Sequence, residues 1–168
     1  MTLSMYQASV PACIRALNNL AAILDKGAAH AQARKIDESV LLNSRLFPDM
    51  FALVRQVQIA TDTARSGVAR LAGVDFPAYE DKESSFAELT QRIRNTIAFL
   101  ETLQPAQIDG GEDRTVTWQS RSGSKSMLGQ PYLMSHLLPN VHFHVTTAYN
   151  ILRHNGVEVG KKDFLGPL

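Results

Sequence analysis

The stretch SFAELTQRIRNTIAFLETLQP, residues 85–105, carries the clearest structural pattern in the sequence. Its apolar residues recur every three or four positions, which is typical of a helix that buries one face. Ser85 and Glu88 match a capping box, in which a hydroxyl and a carboxylate bind the free N–H groups at a helix start. Pro105 ends the pattern. The stretch predicts an amphipathic helix with the buried stripe Phe86, Leu89, Ile93, Ile97, Leu100 and Leu103.

A first helix is predicted over Val10–Leu24, where apolar residues again recur every three or four positions. Pro11 marks either its first turn or a kink, because proline removes a backbone donor. Gly27 weakens the helix beyond this point. We expect Ala28–Arg34 to form an exposed continuation or a loop.

A second helix is predicted to begin at Pro48 and Asp49, since proline is favoured in a first turn and an early carboxylate complements the helix dipole. Gly73 supplies a left-handed stop after residue 72. The predicted buried stripe is Phe47, Met50, Val54, Val57, Thr61, Ala64 and Val68.

The last helical region is predicted from about Gln130 to Asn155, with an interruption at Pro139 and Asn140 and an end at Gly156. Its buried stripe is Val141, Val145, Ala148 and Leu152.

Two segments near this region have a different character. Residues 115–118 and 126–128 flank a glycine-containing turn and predict a β-hairpin, with Trp118 and Leu128 packed on the helices. The tail Val157–Leu168 is predicted to be an irregular strap. Four amphipathic helices without alternating strands predict an all-α four-helix bundle with a short hairpin between the third and fourth helices. The 168 residues suit one domain, 1–168.

Charge and composition exclude several classes of function. The chain has 17 Lys and Arg against 16 Asp and Glu, a net charge of +1, which leaves no surplus for a nucleic-acid backbone. No apolar run approaches the roughly 20 residues of a membrane span, and the first ten residues do not match a signal peptide. Cys13 is the only cysteine and lies on an apolar stripe. We expect a cytoplasmic protein with no nucleic-acid or membrane partner and a buried, unreactive thiol.

Four of the five histidines lie in the last third: His136, His142, His144 and His154. On a regular helix His142 and His144 point about 200° apart, so they cannot bind one ion together. An extended backbone would place both on one face. His154 lies in the last helical turn, where a cation complements the dipole.

A candidate cleft lies between the second and last predicted helices. On the second helix Gln58, Thr61, Asp62 and Arg65 form a polar strip that could face the histidines, and Tyr149 could orient a bound group. The candidate ligand-binding residues are Gln58, Asp62, His142, His144 and Tyr149. An enzyme would use His144 or His142 as a general base, or as one ligand of a reduced metal site completed by Asp62. A binding or structural protein would use the same residues to fill the cleft, and the alternative for the polar strip itself is a solvated helix edge with an Asp62–Arg65 pair.

Phe143, Thr147 and Asn150 are predicted to lie on the face of the last helix opposite its core stripe. An exposed phenylalanine there favours cover by the hairpin, the tail or a second subunit. We expect a homodimer.

Four segments together resemble one known family: residues 45–51 (RLFPDMF), 70–73 (RLAG), 143–157 (FHVTTAYNILRHNGV) and 160–166 (GKKDFLG). It is an uncharacterised bacterial family of unknown function grouped with the DinB/YfiT-like proteins, which are regarded as metalloenzymes. The resemblance covers nearly the whole chain. It implies a DinB-type four-helix bundle, often dimeric.

The larger DinB-like group implied by this resemblance includes metal-dependent thiol transferases and a glutathione- or mycothiol-dependent maleylpyruvate isomerase. Their usual metal ligands are one histidine on the second helix and a His-x-x-x-His pair on the last. The predicted second helix, residues 48–72, has no histidine, and Thr146 follows His142 at the position of the pair.

No metal ligand is therefore carried over, no cofactor is predicted, and no catalytic residue is assigned. The first hypothesis is small-molecule binding in the cleft without a three-histidine site. The alternative is a metal-dependent transferase or isomerase, using zinc or nickel, that acts on a thiol-bearing small molecule.

Overall fold

The computed structural model describes residues 3–120 and 122–167, which are mostly helical with one two-stranded antiparallel hairpin. The long helices are α1 (Met5–Arg34), α3 (Leu53–Ala72), α4 (Phe86–Glu101) and α7 (Leu138–His154). The short helices are α2 (Glu38–Leu42), α5 (Pro105–Ile108), α6 (Gly129–Tyr132) and α8 (Lys161–Leu165). The hairpin strands are β1 (Thr115–Ser120) and β2 (Gly123–Leu128).

The four long helices share one core. Both α1 and α3 pack against α4 and α7. The N-termini of α3 and α4 lie at the same end of the molecule, because Leu53 donates its N–H to the Ser44 carbonyl just after α2 and Phe86 donates its N–H to Glu38 in α2. Residues 73–85, which we call the crossover, therefore run back along the molecule from the end of α3 to the start of α4.

Helix α4 confirms the helix predicted for residues 85–105. Its stripe is buried except for Ile97, which is partly buried, and Leu103 is buried just beyond the end of the helix. The Ser85 hydroxyl accepts the N–H of Glu88 as predicted, whereas the Glu88 carboxylate accepts the N–H of Ser84, one residue before the expected partner.

Helix α1 is longer than predicted. It runs unbroken from Met5 to Arg34, with Pro11 inside it and Ser4 capping its start. The Gly27 position is closely packed, since a Cβ there would lie 3.0 Å from the Phe86 ring. This packing explains why the helix continues through residue 27, and Ala31 is buried beyond it. The short helix α2 was not predicted.

Helix α3 begins at Leu53 and not at Pro48, so this predicted start is wrong. Residues 44–52 instead form a loop that is held by the Leu53 to Ser44 backbone bond and by the Gln56 amide, which donates to the Phe51 carbonyl. Phe47 is 63% exposed, and the stripe becomes fully buried only from Val57 onward. Gly73 ends α3 in the left-handed region, φ +69°, as predicted.

The interruption of the last helical region lies one turn earlier than predicted. A π-helical turn, Leu133–Leu137, joins α6 to α7, and Pro139 sits in the first turn of α7. Pro139 has no N–H for the carbonyl of Ser135, four residues before it, and the wider π turn accommodates this loss. Leu137 packs directly on Gly67 of α3, where a Cβ would lie 2.3 Å from it.

The outer face of α7 is only partly as predicted. Phe143 is 58% exposed, so neither the hairpin nor the described part of the tail covers it. Thr147, expected to be beside it on the outer face, is buried, and its hydroxyl donates to the Phe143 carbonyl.

The hairpin is confirmed, with Thr115 opposite Leu128 and Ser120 opposite Gly123. Trp118 packs against the core, but Leu128 is exposed and the prediction for it was wrong, because Leu128 pairs with the exposed Thr115 on the hairpin face opposite the buried Val116.

The tail forms helix α8, where an irregular strap was expected. Asn19 and Arg15 of α1 donate to the Phe164 and Leu165 carbonyls and hold α8 against α1.

Cys13 is fully buried, and burial raises the pKa of its thiol to about 12. Across the described residues, the helices lack the length and apolar character that crossing a membrane requires.

Candidate functional site

The structure distributes the five candidate ligand-binding residues over three places. Gln58 and Asp62 belong to a charged network between α3, α4 and the crossover. His144 lies in the α3–α7 interface. His142 and Tyr149 lie on the side of α7 that faces α1 and α8. The polar strip of α3 does not face the histidines, because its charges pair with α4 and the crossover.

The centre of the charged network is Arg92 of α4, whose side chain is 2% exposed. Its Nε donates to the Thr61 hydroxyl over 2.9 Å, and its Nη1 donates to Glu83 Oε1 over 2.8 Å. Its Nη2 lies 2.7 Å from Asp62 and 2.9 Å from Asp81. Every nitrogen of this buried cation therefore has a partner, which is the condition under which a buried charge is tolerated.

Glu83 joins the crossover to both helices. Gln58 Nε2 donates to Glu83 Oε2 over 2.8 Å, opposite the bond from Arg92. Burial alone would raise the pKa of Glu83, but the hydrogen bonds from Arg92 and Gln58 outweigh it and lower the pKa. Arg55 adds a bond to Gln58 and an ion pair with Asp81. These contacts fasten the crossover to α3 and α4.

Arg65 differs from Arg92 although both are buried, Arg65 being 4% exposed. Its Nη2 donates to Asp62 over 2.8 Å, and the Tyr79 ring covers its guanidinium at 3.8 Å. Its Nε and Nη1 have no partner among the described residues. A groove of about 510 Å³ lies beside this cluster, between the crossover and α4, and includes Tyr79, Glu83 and Arg92 in its wall.

His144 forms a neutral hydrogen-bonded pair with Gln56 of α3. The Gln56 amide Nε2 donates to the Phe51 carbonyl over 3.1 Å, which fixes the orientation of the amide. Its Oε1 therefore faces His144 Nδ1, 2.7 Å away, and accepts the Nδ1–H. This assigns the proton of the neutral imidazole to Nδ1 and leaves a lone pair on Nε2.

The surroundings of His144 keep it uncharged at neutral pH. Burial and the nearby positive charge of Arg55 lower its pKa. His144 as a whole residue is 9% exposed, and its Nε2 makes no hydrogen bond to the described residues but is not sealed from solvent. The Phe143 ring meets the imidazole edge-on, with ring centres 5.2 Å apart. A neutral imidazole with an open lone pair can accept a hydrogen bond or a proton from a ligand.

His142 borders a small cavity on the other side of α7, and Tyr149 lies against Phe164, one of the residues that line it. His142 is exposed, and its Nδ1 lies 2.7 Å from the Leu138 carbonyl. The cavity, about 180 Å³, is enclosed by α1, α7 and α8, with Arg15 and Phe164 among its lining residues. Tyr149 packs edge-on against Phe164. As the helical spacing predicted, His142 and His144 point in different directions.

The residues around His144 do not fit a three-histidine metal centre. Its partner on α3 is the amide of Gln56, and the residue one turn later is Ala148. Asp62, the ligand considered for a reduced site, is held by Arg65 and Arg92. Within residues 3–120 and 122–167, no three histidine, cysteine or carboxylate side chains are placed to hold an ion together.

The important residues that sequence analysis missed are Gln56 and Arg92. Both sit directly beside buried apolar residues, Val57 and Ile93, in helices that the periodicity identified. A long polar residue next to a core stripe was the available signal, since such a side chain needs a partner on a neighbouring helix.

A family model and a solved structure each match nearly the whole chain. The model of DUF1993, a domain of unknown function, matches residues 5–165. A crystal structure described as a DinB family member from Shewanella denitrificans is 46% identical in sequence, with a TM-score of 0.89. The match covers 97% of this chain and 92% of that one. No curated protein matches the chain.

Proposed function

The chain belongs to the uncharacterised DinB-like family DUF1993, and on that premise we propose that it is a cytoplasmic four-helix bundle of DinB type that binds a small molecule at His144, between α3 and α7, without a three-histidine metal site. The ring of contacts among α1, α3, α4 and α7 supports the bundle arrangement. The single buried cysteine fits a reducing compartment.

The hydrogen bond between Gln56 and His144 is the observation that carries this proposal. It holds the imidazole in one tautomer and one orientation, with the lone pair of Nε2 open. A ligand that fits has an O–H or N–H donor for Nε2 and an apolar part for the edge of Phe143. The hydrogen bond and the ring contact of His144 are to Gln56 and Phe143 and not to the other four candidates, so the proposed ligand site consists of His144, Gln56 and Phe143.

Phenol and anisole form a matched pair of probes, since both carry a ring but anisole lacks the donor. Nitrogen-resolved NMR of the full chain should show the Nδ1–H tautomer of His144 and a shift of its Nε2 resonance with phenol. Anisole should leave that resonance unchanged, and His142→Gln should leave the phenol response unchanged. A mixture of tautomers, or equal responses to the two probes, would contradict the proposal.

The alternative is a metal-dependent transferase or isomerase acting on a thiol-bearing molecule. It is favoured by the DinB description of the solved relative and by the open Nε2 of His144. Elemental analysis of untagged protein separates the two proposals. Stoichiometric zinc or nickel that is lost in His144→Ala would favour the alternative, and its absence in both proteins would favour simple ligand binding.

A homodimer is part of the proposal and is supported by the exposure of Phe143 on α7. Light scattering should give twice the chain mass, and Phe143→Lys should give the mass of one chain. A concentration-independent monomer would contradict it.

A further inference from the structure

At the far end of α3 from Gln56, Arg70 is held in a fixed orientation. Its Nη1 donates to the Ser66 hydroxyl over 3.0 Å and lies 3.5 Å from the Tyr132 hydroxyl. Tyr132 is buried, and Ser66 lies one turn earlier on the same helix. Both hydrogens of Nη1 are therefore directed at fixed oxygens, so the plane of the guanidinium is set.

The other edge of this guanidinium remains open. Nε and Nη2 of Arg70 make no hydrogen bond to the described residues, and neither is sealed from solvent. None of the ion pairs formed within residues 3–120 and 122–167 includes Arg70. Nε and Nη2 carry two parallel N–H groups, and this fork matches the two oxygens of a carboxylate or phosphate.

Aromatic side chains adjoin Arg70. Trp118 of the hairpin lies with its ring centre 4.6 Å from that of His136 and 5.1 Å from that of Tyr132. Phe76 of the crossover lies on another side, with its ring centre 5.5 Å from the guanidinium carbon. His136 belongs to the π turn, a helical distortion found often at functional sites. Burial and Arg70 lower the pKa of His136, so it adds no second charge at neutral pH.

Stabilisation of the end of α3 does not explain this orientation. Arg70 lies in the last turn, where a cation complements the helix dipole. Yet the carbonyl of Leu71 there is bound by Arg114, which donates to it over 2.9 Å. Arg70 instead directs Nη1 at two hydroxyls, and its Nε and Nη2 keep no partner among the described residues.

We propose that Arg70, Trp118, Tyr132 and His136, which we call the Arg70 site, bind a small organic anion whose carboxylate or phosphate pairs with the Arg70 fork and whose flat apolar part packs beside Trp118. This site is separate from His144, so this proposal does not depend on the proposed function.

Trp118 is the only tryptophan of the chain, and its fluorescence reports directly on the Arg70 site. The full chain is titrated at low salt with benzoate, phenyl phosphate and benzyl alcohol, which share a ring but differ in the charged group. At least one anion should change the fluorescence saturably, and benzyl alcohol should bind at least tenfold more weakly. The preferred anion identifies the head group as carboxylate or phosphate.

Arg70→Lys tests the fork, because it keeps the charge and removes the paired donors. We expect at least a tenfold loss of anion affinity, while the matched change Arg94→Lys on the exposed face of α4 has no effect. If Arg70→Lys unfolds, Ser66→Ala provides the second test, with a several-fold loss through the released guanidinium. Failure of both anions to saturate, equal binding of benzyl alcohol, or unchanged affinity in the folded Arg70 or Ser66 variant would overturn the proposal.

Discussion

Buried polar groups are paired in different ways on the two faces of α3. Toward α4 and the crossover, α3 uses charges, with Asp62 shared between Arg65 and Arg92 at 2.8 and 2.7 Å. Toward α7, it uses a neutral amide, Gln56, against a neutral imidazole, His144. On the charged face, nearly all donors and acceptors are already bonded to one another, and these bonds hold the crossover in place. The neutral face leaves one lone pair open, which is why the proposed ligand site lies there.

The largest effect is expected on the charged face, at Arg92. Arg92→Met removes one partner each from Asp62 and Asp81, which keep Arg65 and Arg55, and leaves the mostly buried Glu83 without its cation. Breaking a buried pair in this way costs about 3–5 kcal/mol of unfolding free energy. Urea unfolding measures this loss, with Arg94→Met on the exposed face of α4 as the control.

Arg65→Met sharpens the comparison within the same face. It removes two unpartnered N–H groups, and Arg92 still pairs with Asp62. The expected change is within about 1 kcal/mol of the wild type, because a buried ion can often be replaced by an apolar residue at little cost. A loss as large as that of Arg92→Met would mean that the two arginines are equivalent in the fold.

A loss between those of Arg92→Met and Arg65→Met is expected on the neutral face, at Gly67. An alanine in a helix normally stabilises it relative to glycine by about 0.5–1 kcal/mol. At Gly67 the added Cβ would lie 2.3 Å from Leu137, so Gly67→Ala should destabilise by about 1–3 kcal/mol. Leu137→Ala should remove most of this penalty in the double variant, which urea unfolding of the four proteins would show. Gly160→Ala, where the surroundings are open, is the control.

The sequence was sufficient to predict those elements whose formation depends on local contacts. Apolar spacing predicted α4, and the Gly73 stop was found because its cause is the conformation of one residue. The sequence-based prediction of the start of α3 was wrong. A backbone hydrogen bond between Leu53 and Ser44 replaces the helical turn that Pro48 and Asp49 favour. Local preference is weak compared with such tertiary contacts.

The candidate site was harder to predict because its partners are distant in sequence. Gln56 and His144 are 88 residues apart, and Thr61 and Arg92 are 31 apart. The polar strip containing Asp62 was identified from the sequence. Which neighbour the strip faces could not be predicted, because this depends on which helix packs against that side of α3. His144 was found from the composition of one helix, whereas Gln56 has a role only after α3 and α7 are packed.

The smallest effect concerns the pH dependence of the neutral face. The pKa of His144 is lower in the folded chain than its ordinary value of about 6.5. The unfolded chain therefore binds more protons between the two pKa values, so stability rises with pH through that window and is constant above it. Urea midpoints should fall as the pH drops below about 6.5, and His144→Gln should reduce this dependence.

Gln56→Glu should reverse the sign of this effect. A carboxylate at the position of the amide keeps an acceptor for Nδ1–H and adds a negative charge, which favours the imidazolium. The pKa of His144 should rise, and if it exceeds the unfolded value, the added stability is present below about 6.5 and is lost as the pH rises through the folded pKa. NMR titration of His144 measures the pKa directly. An unchanged pKa in Gln56→Glu would show that the two side chains do not form the pair on which the neutral face depends, whereas a raised pKa would show that the side chain of residue 56 faces the imidazole of His144.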